Sequence, residues 1–178
     1  PRGIFVGTYA IGLYLEGDYK APPSAAWLPN DAEKNSLAKL VGSLESAMVP
    51  SAIWDCGKTA APEPFAKRAL FFNVPNSDTS SGVSVRWALV GGPLLVIARL
   101  QADGKWIARH VDAFGADGCQ HRVYQPRAVF DADGDGEPEV FVHYDYGDGF
   151  GDIVLGRSHM GFEGKWQLLA ESVGGSTA

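Results

Sequence analysis

At 178 residues the chain is long enough to bury a proper core and is of single-domain size. Its net charge of −6 is concentrated: residues 131–152 hold eight acids and no Lys or Arg, and the 13 acids outside that stretch face 15 basic residues. With no basic stripe to neutralise phosphates, nucleic-acid binding is excluded as an expectation, and no apolar run is long enough to span a membrane.

In chain order, Pro1-Arg2-Gly3-Ile4-Phe5 shows no charged segment leading into an apolar stretch, so no leader peptide is expected within these residues. Phe5, Tyr9, Ile11, Leu13 and Leu15 fall mostly on one face of an extended segment, which predicts a long strand or a hairpin broken at Gly7 or Gly12. The period then changes. After Pro29, Asn30 is placed to cap a helix with Glu33 as its capping-box partner, and Leu37, Leu40, Val41, Leu44 and Met48 follow at helical spacing until Pro50. This predicts one amphipathic helix over 31–48, packed on a sheet; its polar face lacks the basic character of a membrane-lying helix. Ala60-Ala61-Pro62-Glu63-Pro64 reads as a stiff connector.

An internal repeat follows. Lys67-Arg68-Ala69-Leu70-Phe71 returns as Pro126-Arg127-Ala128-Val129-Phe130, and Gly104-Lys105-Trp106 as Gly164-Lys165-Trp166, at offsets of about 60 residues, a period of the kind that signals blades or stacked sheets. Between and after these anchors each copy carries further strand-like runs: 83–90, 94–100 and 107–111 in the first, 140–144, 153–155 and 167–169 in the second. Four strands per unit are expected. Cys56 precedes one copy and Cys119 the other, a placement that suits either a disulfide in an oxidising compartment or two buried thiols.

The second copy differs from the first in Asp131-Ala132-Asp133-Gly134-Asp135-Gly136-Glu137-Pro138-Glu139. Acids at the first, third, fifth and ninth positions, with a backbone carbonyl near the seventh, supply the hard oxygens that Ca²⁺ requires, and Gly136 sits where the chain must bend. A solvated acidic turn is the simpler alternative. Position twelve of an EF-hand would need a bidentate Glu, whereas this chain has Val142 there, between flanks rich in β-branched and aromatic residues. The segment 127–144 resembles the FG-GAP/VCBS type of repeat, in which an acid-rich loop runs straight into an apolar strand. The resemblance implies a β-propeller blade of a secreted, periplasmic or cell-surface protein, with Ca²⁺ held by the side chains of Asp131, Asp133, Asp135 and Glu139 and the carbonyl of Glu137. In the first copy the aligned positions are Phe72, Val74 and Asn76, which cannot do this.

Asp145, Asp148 and Asp152 lie in the next connection, Gly147-Asp148-Gly149-Phe150-Gly151 reading as a hairpin turn. Three uses are open: a second cation site or outer-shell contacts to the first, solvated hairpin acids, or an acid and base for glycoside hydrolysis. Recognisable catalytic motifs are absent: there is no G-x-S-x-G elbow, no zinc spacing among His110, His121, His143 and His159, and no Gly-rich loop entering a helix. Trp106 and Trp166, equivalent in the repeats, are expected to pack; Trp27, beside Pro29, is expected to be the most exposed indole and so available to stack on a sugar or peptide.

The combined expectation is a mainly β single domain: a strand-plus-helix cap over 1–60 and two blade-like antiparallel meanders over 61–118 and 119–178, as a partial propeller or a β-sandwich. The function expected is that of an extracellular or periplasmic calcium-binding, non-catalytic module, with a protein or glycan partner or self-association. A small hydrolase using the acids of 131–152, or a calcium-dependent subunit of a surface assembly, stands as the alternative.

Overall fold

The computed structural model describes residues 3–6, 11–14, 27–49, 64–75, 84–113, 122–130, 138–146, 149–157 and 166–175. The protein is mainly β. A short hairpin, β1 (Gly3–Val6) with β2 (Ile11–Tyr14), precedes helix α1 (Asp31–Met48) and a single helical turn, α2 (Phe65–Arg68). Two four-stranded antiparallel meanders follow, each with its strands in sequence order. The first sheet is β3 (Ala69–Pro75), β4 (Ser84–Val90), β5 (Leu95–Leu100) and β6 (Trp106–Asp112). The second is β7 (Arg122–Phe130), β8 (Glu139–Tyr146), β9 (Gly149–Arg157) and β10 (Trp166–Gly175).

The helix begins where its cap dictates. Asn30 Oδ1 accepts from the Glu33 amide at 2.9 Å, and Glu33 Oε2 accepts from the Asn30 amide at 2.8 Å, which satisfies two otherwise orphaned donors. Asp31 and Glu33 in the first turn also complement the helix dipole. Leu37 and Val41 are buried with Leu40 and Leu44 beside them, but Met48 is exposed, so the apolar stripe ends a turn before the helix does. Among the described residues no helix is long and apolar enough to cross a membrane.

The molecule is layered, helix on sheet on sheet. Strand alternation sends Ala88, Val90, Leu94, Val96 and Ala98 toward α1, and Trp87, Leu89, Leu95 and Ile97 toward the second sheet, where they meet Tyr124, Val140, Val142, Tyr144, Ile153 and Leu155. Because both faces of the first sheet are covered, Leu94–Ala98 reads as an unbroken apolar run and all five residues are buried. The layers are stitched at the β4–β5 turn. Gly92 exchanges two backbone hydrogen bonds with Tyr124 of β7, at 2.8 and 2.7 Å, and Gly91 donates to Arg68 O at 2.9 Å.

The repeated tryptophans show how the meanders are related. Trp106 packs on the helix side of the first sheet, whereas Trp166 packs between the sheets, 6.0 Å from Trp87 and edge-on to it. Each therefore lies on the side of its own sheet that faces the preceding layer, and α1 occupies for the first sheet the place that the first sheet occupies for the second. The expected packing role of both indoles is what the structure shows. In the first copy the repeated glycine is a turn residue, Gly104 adopting φ +80°. The other sequence anchor is out by one residue: Phe71 faces the helix layer and Val129 the inter-sheet core, so Phe71 and Val129 correspond, rather than Phe71 and Phe130. A one-residue slip exchanges the faces of a strand, and the bulge of β7 between Pro126 and Ala128 absorbs it.

Trp27 is the most exposed of the described tryptophans, as expected, yet it is half-buried, 6.0 Å from Phe71 and 6.1 Å from Trp106, with the Arg86 guanidinium 5.0 Å above its ring; its neighbour Leu28 is the strongly exposed residue. One local expectation is corrected. The hairpin connection after β8 is shorter than 147–151, since Tyr146 pairs directly with Gly149. Gly149 and Gly151 are strand residues, glycine because the rings of Tyr146 and Tyr144 lie where their Cβ atoms would be.

Candidate functional site

The acid-rich loop joins β7 to β8, and its described flanks constrain it. Phe130 and Glu139 are paired across the two strands, so the connection starts and ends at neighbouring points. Asp131, Asp133, Asp135 and Glu137 lie outside the described residues. Glu139, the ninth position, is inside them and is 6% exposed although it is a carboxylate. Space for it comes from β9. Val140 pairs with Leu155, which sets Glu139 across from Gly156, and the Glu139 Cγ lies against the position a Cβ at Gly156 would take. Pro138, just before it, is buried too. Among the described residues alone, no three His, Cys, Asp or Glu side chains are arranged to hold a metal.

The strand junction of Phe130 and Glu139, where the acid-rich connection closes, lies at the opposite end of β8 from Asp145. In an antiparallel hairpin consecutive connections alternate ends, and the six residues from Glu139 to Asp145 span about 20 Å at ~3.3 Å each. Asp148 is outside the described residues, within the connection between Tyr146 and Gly149. Asp145 and Asp152 instead meet at His143, on the face of the second sheet turned away from the first. His143 Nδ1 is 2.8 Å from Asp152 Oδ1, and because an ionised carboxylate only accepts, this nitrogen carries the proton it donates. His143 Nε2 is 3.5 Å from Asp145 Oδ1. Gln125 Nε2 donates to Asp145 Oδ2 at 2.7 Å, Arg127 donates to Gln125 at 2.8 Å, and the Phe150 ring lies 6.0 Å from the imidazole.

The order of this row limits its chemistry. Across the strands the register reads Ser172, Asp152, His143, Gln125. A nucleophilic triad needs the histidine between hydroxyl and carboxylate, with the serine within about 3 Å of the imidazole. Here the carboxylate is in the middle, and Ser172 is two strands, roughly 9–10 Å, from His143. The row can orient an imidazole and bind polar groups; it cannot activate Ser172 through His143.

A second polar cluster, not anticipated from the sequence, lies on the opposite face. Glu171 Oε1 accepts both from Arg122 Nη2 at 2.7 Å and from the Tyr144 hydroxyl at 2.8 Å, and the Arg122 guanidinium stacks 3.9 Å above the Tyr144 ring. Burial, followed by the bond to Glu171, pushes the Tyr144 phenol well above its ordinary range, against the opposing pull of Arg122. A phenol held protonated in this way is a hydrogen-bond donor at neutral pH. The cluster satisfies itself and clamps β7, β8 and β10 together.

Cys56, Cys119, His121 and His159 lie outside the described residues. Comparison of the chain with protein-family models, with curated proteins and with solved structures finds no match.

Proposed function

We propose that this chain is a calcium-binding, non-catalytic binding or structural module, with Asp131, Asp133, Asp135 and Glu139 as side-chain ligands and Glu137 contributing its carbonyl. The observation that carries the reading is the spacing of the acids, at the first, third, fifth and ninth positions of a connection that runs from Phe130 straight into β8 at Glu139. Carboxylates brought together at this spacing would repel one another without an ion, and a hard cation takes six to eight oxygens of this kind. The resemblance of 127–144 to FG-GAP/VCBS repeats points the same way, and with it to an exported protein that meets a protein or glycan partner or a second copy of itself. Bound calcium would supply charge neutralisation and cross-link the loop.

The test is thermal unfolding in EDTA and in calcium, for the parent and for Glu139→Gln. At free calcium a hundredfold above the dissociation constant the stabilisation is about 2.7 kcal/mol. For a domain of this size that is roughly 5–10 °C in Tm. Mg²⁺ should replace calcium poorly, since it demands tighter octahedral geometry. Coincident melting curves for the parent in EDTA and calcium would overturn the proposal. Export carries a further consequence. A Cys56–Cys119 bond would close a loop of 64 residues, which the chain-entropy model values at about 4 kcal/mol. Mass spectrometry of unreduced protein from an oxidising compartment should find no alkylatable thiol.

The order of Ser172, Asp152 and His143 argues against a serine nucleophile; the alternative, a hydrolase using the acids of 131–152, is met by assay. A screen against glycoside, ester, phosphate and peptide substrates should find no turnover. Turnover that vanishes in a folded Asp145→Asn/Asp148→Asn/Asp152→Asn variant would replace the binding module with an enzyme.

A further inference from the structure

The equivalence of Trp106 and Trp166 exposes a difference between the two layers. Trp106 Nε1 donates to Glu33 O of α1 at 2.9 Å. Trp166, only 7% exposed, has no acceptor for its Nε1–H. Its ring stands edge-on to Trp87, and Trp87 is paired with Arg99 on β5. The Arg99 Nε is buried and also lacks an acceptor, and no carboxylate among the described residues comes within ion-pair distance of the guanidinium.

Strand alternation adds a third group. Arg99 and Ile97 point to the same side of β5, toward the second sheet, and His110 is paired with Ile97, which places it on that side of β6, across the β5–β6 bulge from Arg99 and its partner Ile107. His110 Nε2 is buried without a partner as well. Asp112, the acid on this side of β6, is paired with Leu95, one step further along, and does not reach Arg99. Three of the buried polar atoms that lack partners therefore share one seam between the sheets, at the β5–β6 side. Ile107, paired with Arg99, is 46% exposed, so the seam is open to solvent there.

Buried donors without acceptors cost about 1–3 kcal/mol each, and native proteins rarely leave several together. Arg99 Nε belongs to the edge of the guanidinium that receives a carboxylate bidentately. An indole N–H adds a donor and cannot accept, and an imidazole nitrogen can donate in the appropriate tautomer. We propose that this seam, with Arg99, Trp166 and His110 as its polar contacts, is a binding site for a small carboxylate ligand, either a simple organic acid or an acidic sugar. The aromatic wall of Trp87 and Trp166 suits the apolar body of such a ligand. The site is separate from the acid-rich loop and stands whether or not that loop binds calcium.

The Trp166 indole N–H is a direct reporter in a ¹H–¹⁵N NMR spectrum, assigned by its disappearance in Trp166→Phe. Acetate and glucuronate, titrated separately at constant ionic strength against chloride, should shift it saturably. The affinity should fall at least tenfold in Arg99→Gln and in Arg99→Lys, which keeps the charge and loses the fork, so that one substitution failing to fold leaves the other decisive. Tighter binding of glucuronate would assign the acidic sugar, and equal binding the simple acid. A shift that is linear in concentration, or is unchanged in the Arg99 variant that folds, overturns the proposal. So does a crystal grown with acetate in which ordered water alone occupies the three partners.

Discussion

Gly92→Ala is the substitution that bears most directly on how the layers are joined. Gly92 adopts φ +121°, and a Cβ there would collide with Arg68 Nη1, the nitrogen that donates to Glu45 Oε1 at 2.7 Å. Both members of that pair are largely buried, Arg68 11% and Glu45 24% exposed, so displacing the guanidinium strands charge in a poor environment. A side chain at this φ costs about 1–3 kcal/mol in backbone strain alone. The same residue holds the two hydrogen bonds to Tyr124, each worth about 1 kcal/mol if lost. Together these give a destabilisation of roughly 3–5 kcal/mol, a large share of the ~5–15 kcal/mol of a typical domain. In Tm that is roughly 6–20 °C. Urea unfolding followed by tryptophan fluorescence is the assay. Gly42→Ala is its control: nothing lies within 4 Å of the Cβ it would add, in the interior of α1, so it should stabilise by about 0.5–1 kcal/mol. Combining Gly92→Ala with Arg68→Ala should show coupling of about 1–3 kcal/mol, because the second change removes the atom that the first strikes. A cost for Gly92→Ala within about 1 kcal/mol of zero, or simple additivity with Arg68→Ala, would refute the account of the turn.

Asn30→Ala removes the acceptor of the Glu33 amide and should cost about 1 kcal/mol by chemical denaturation. Burial holds the His110 pKa below its ordinary 6.5, against the weaker opposite pull of Asp112. The unfolded chain then binds the proton more tightly than the folded one, so stability falls as pH drops through about 6.5 toward the folded value. His110→Gln should flatten that fall, measured as urea midpoints at about pH 7.5 and about pH 5.5. Tyr144→Phe should cost about 1–2 kcal/mol, and in an alkaline spectrophotometric titration it should remove a phenol that ionises above the ordinary range.

The parts of the fold legible in the sequence are those where one local period decides. Asn30 with Glu33 marks the start of α1, and the strands of both meanders announce themselves as apolar or alternating runs, so the four-stranded units could be read without tertiary information. Register was less legible. The shared Arg-Ala dipeptide of 68–69 and 127–128 drew an alignment that the β7 bulge displaces by one residue, and a bulge leaves no mark in periodicity until a partner strand is known. The prolines beside Trp27 mark it as the most exposed of the described indoles, but its half-buried environment is set by Phe71, Arg86 and Trp106, all more than forty residues away.

The site residues divide in the same way. His143 and Asp145 are two apart on one strand and so share a face, a signal present in the sequence that, read with strand period, pairs the histidine with the flagged acid. Asp152 joins them through the hairpin, since Tyr146 pairing with Gly149 fixes His143 opposite Asp152; one more residue in that turn would have moved Asp152 off the row. Glu171 and Arg122 are 49 residues apart and meet because β10 and β7, the two edges of one sheet, both present long side chains over Tyr144. The Arg99 seam was the least legible of all. Each of its members looks ordinary on its own strand, and what distinguishes them is the absence of an acceptor, which follows from how the second sheet is laid across the first. Trp106 and Trp166 share a repeated tripeptide, yet only one has a helix carbonyl to donate to, because the layer beneath one is a helix and beneath the other a sheet whose own carbonyls are engaged in strand pairing.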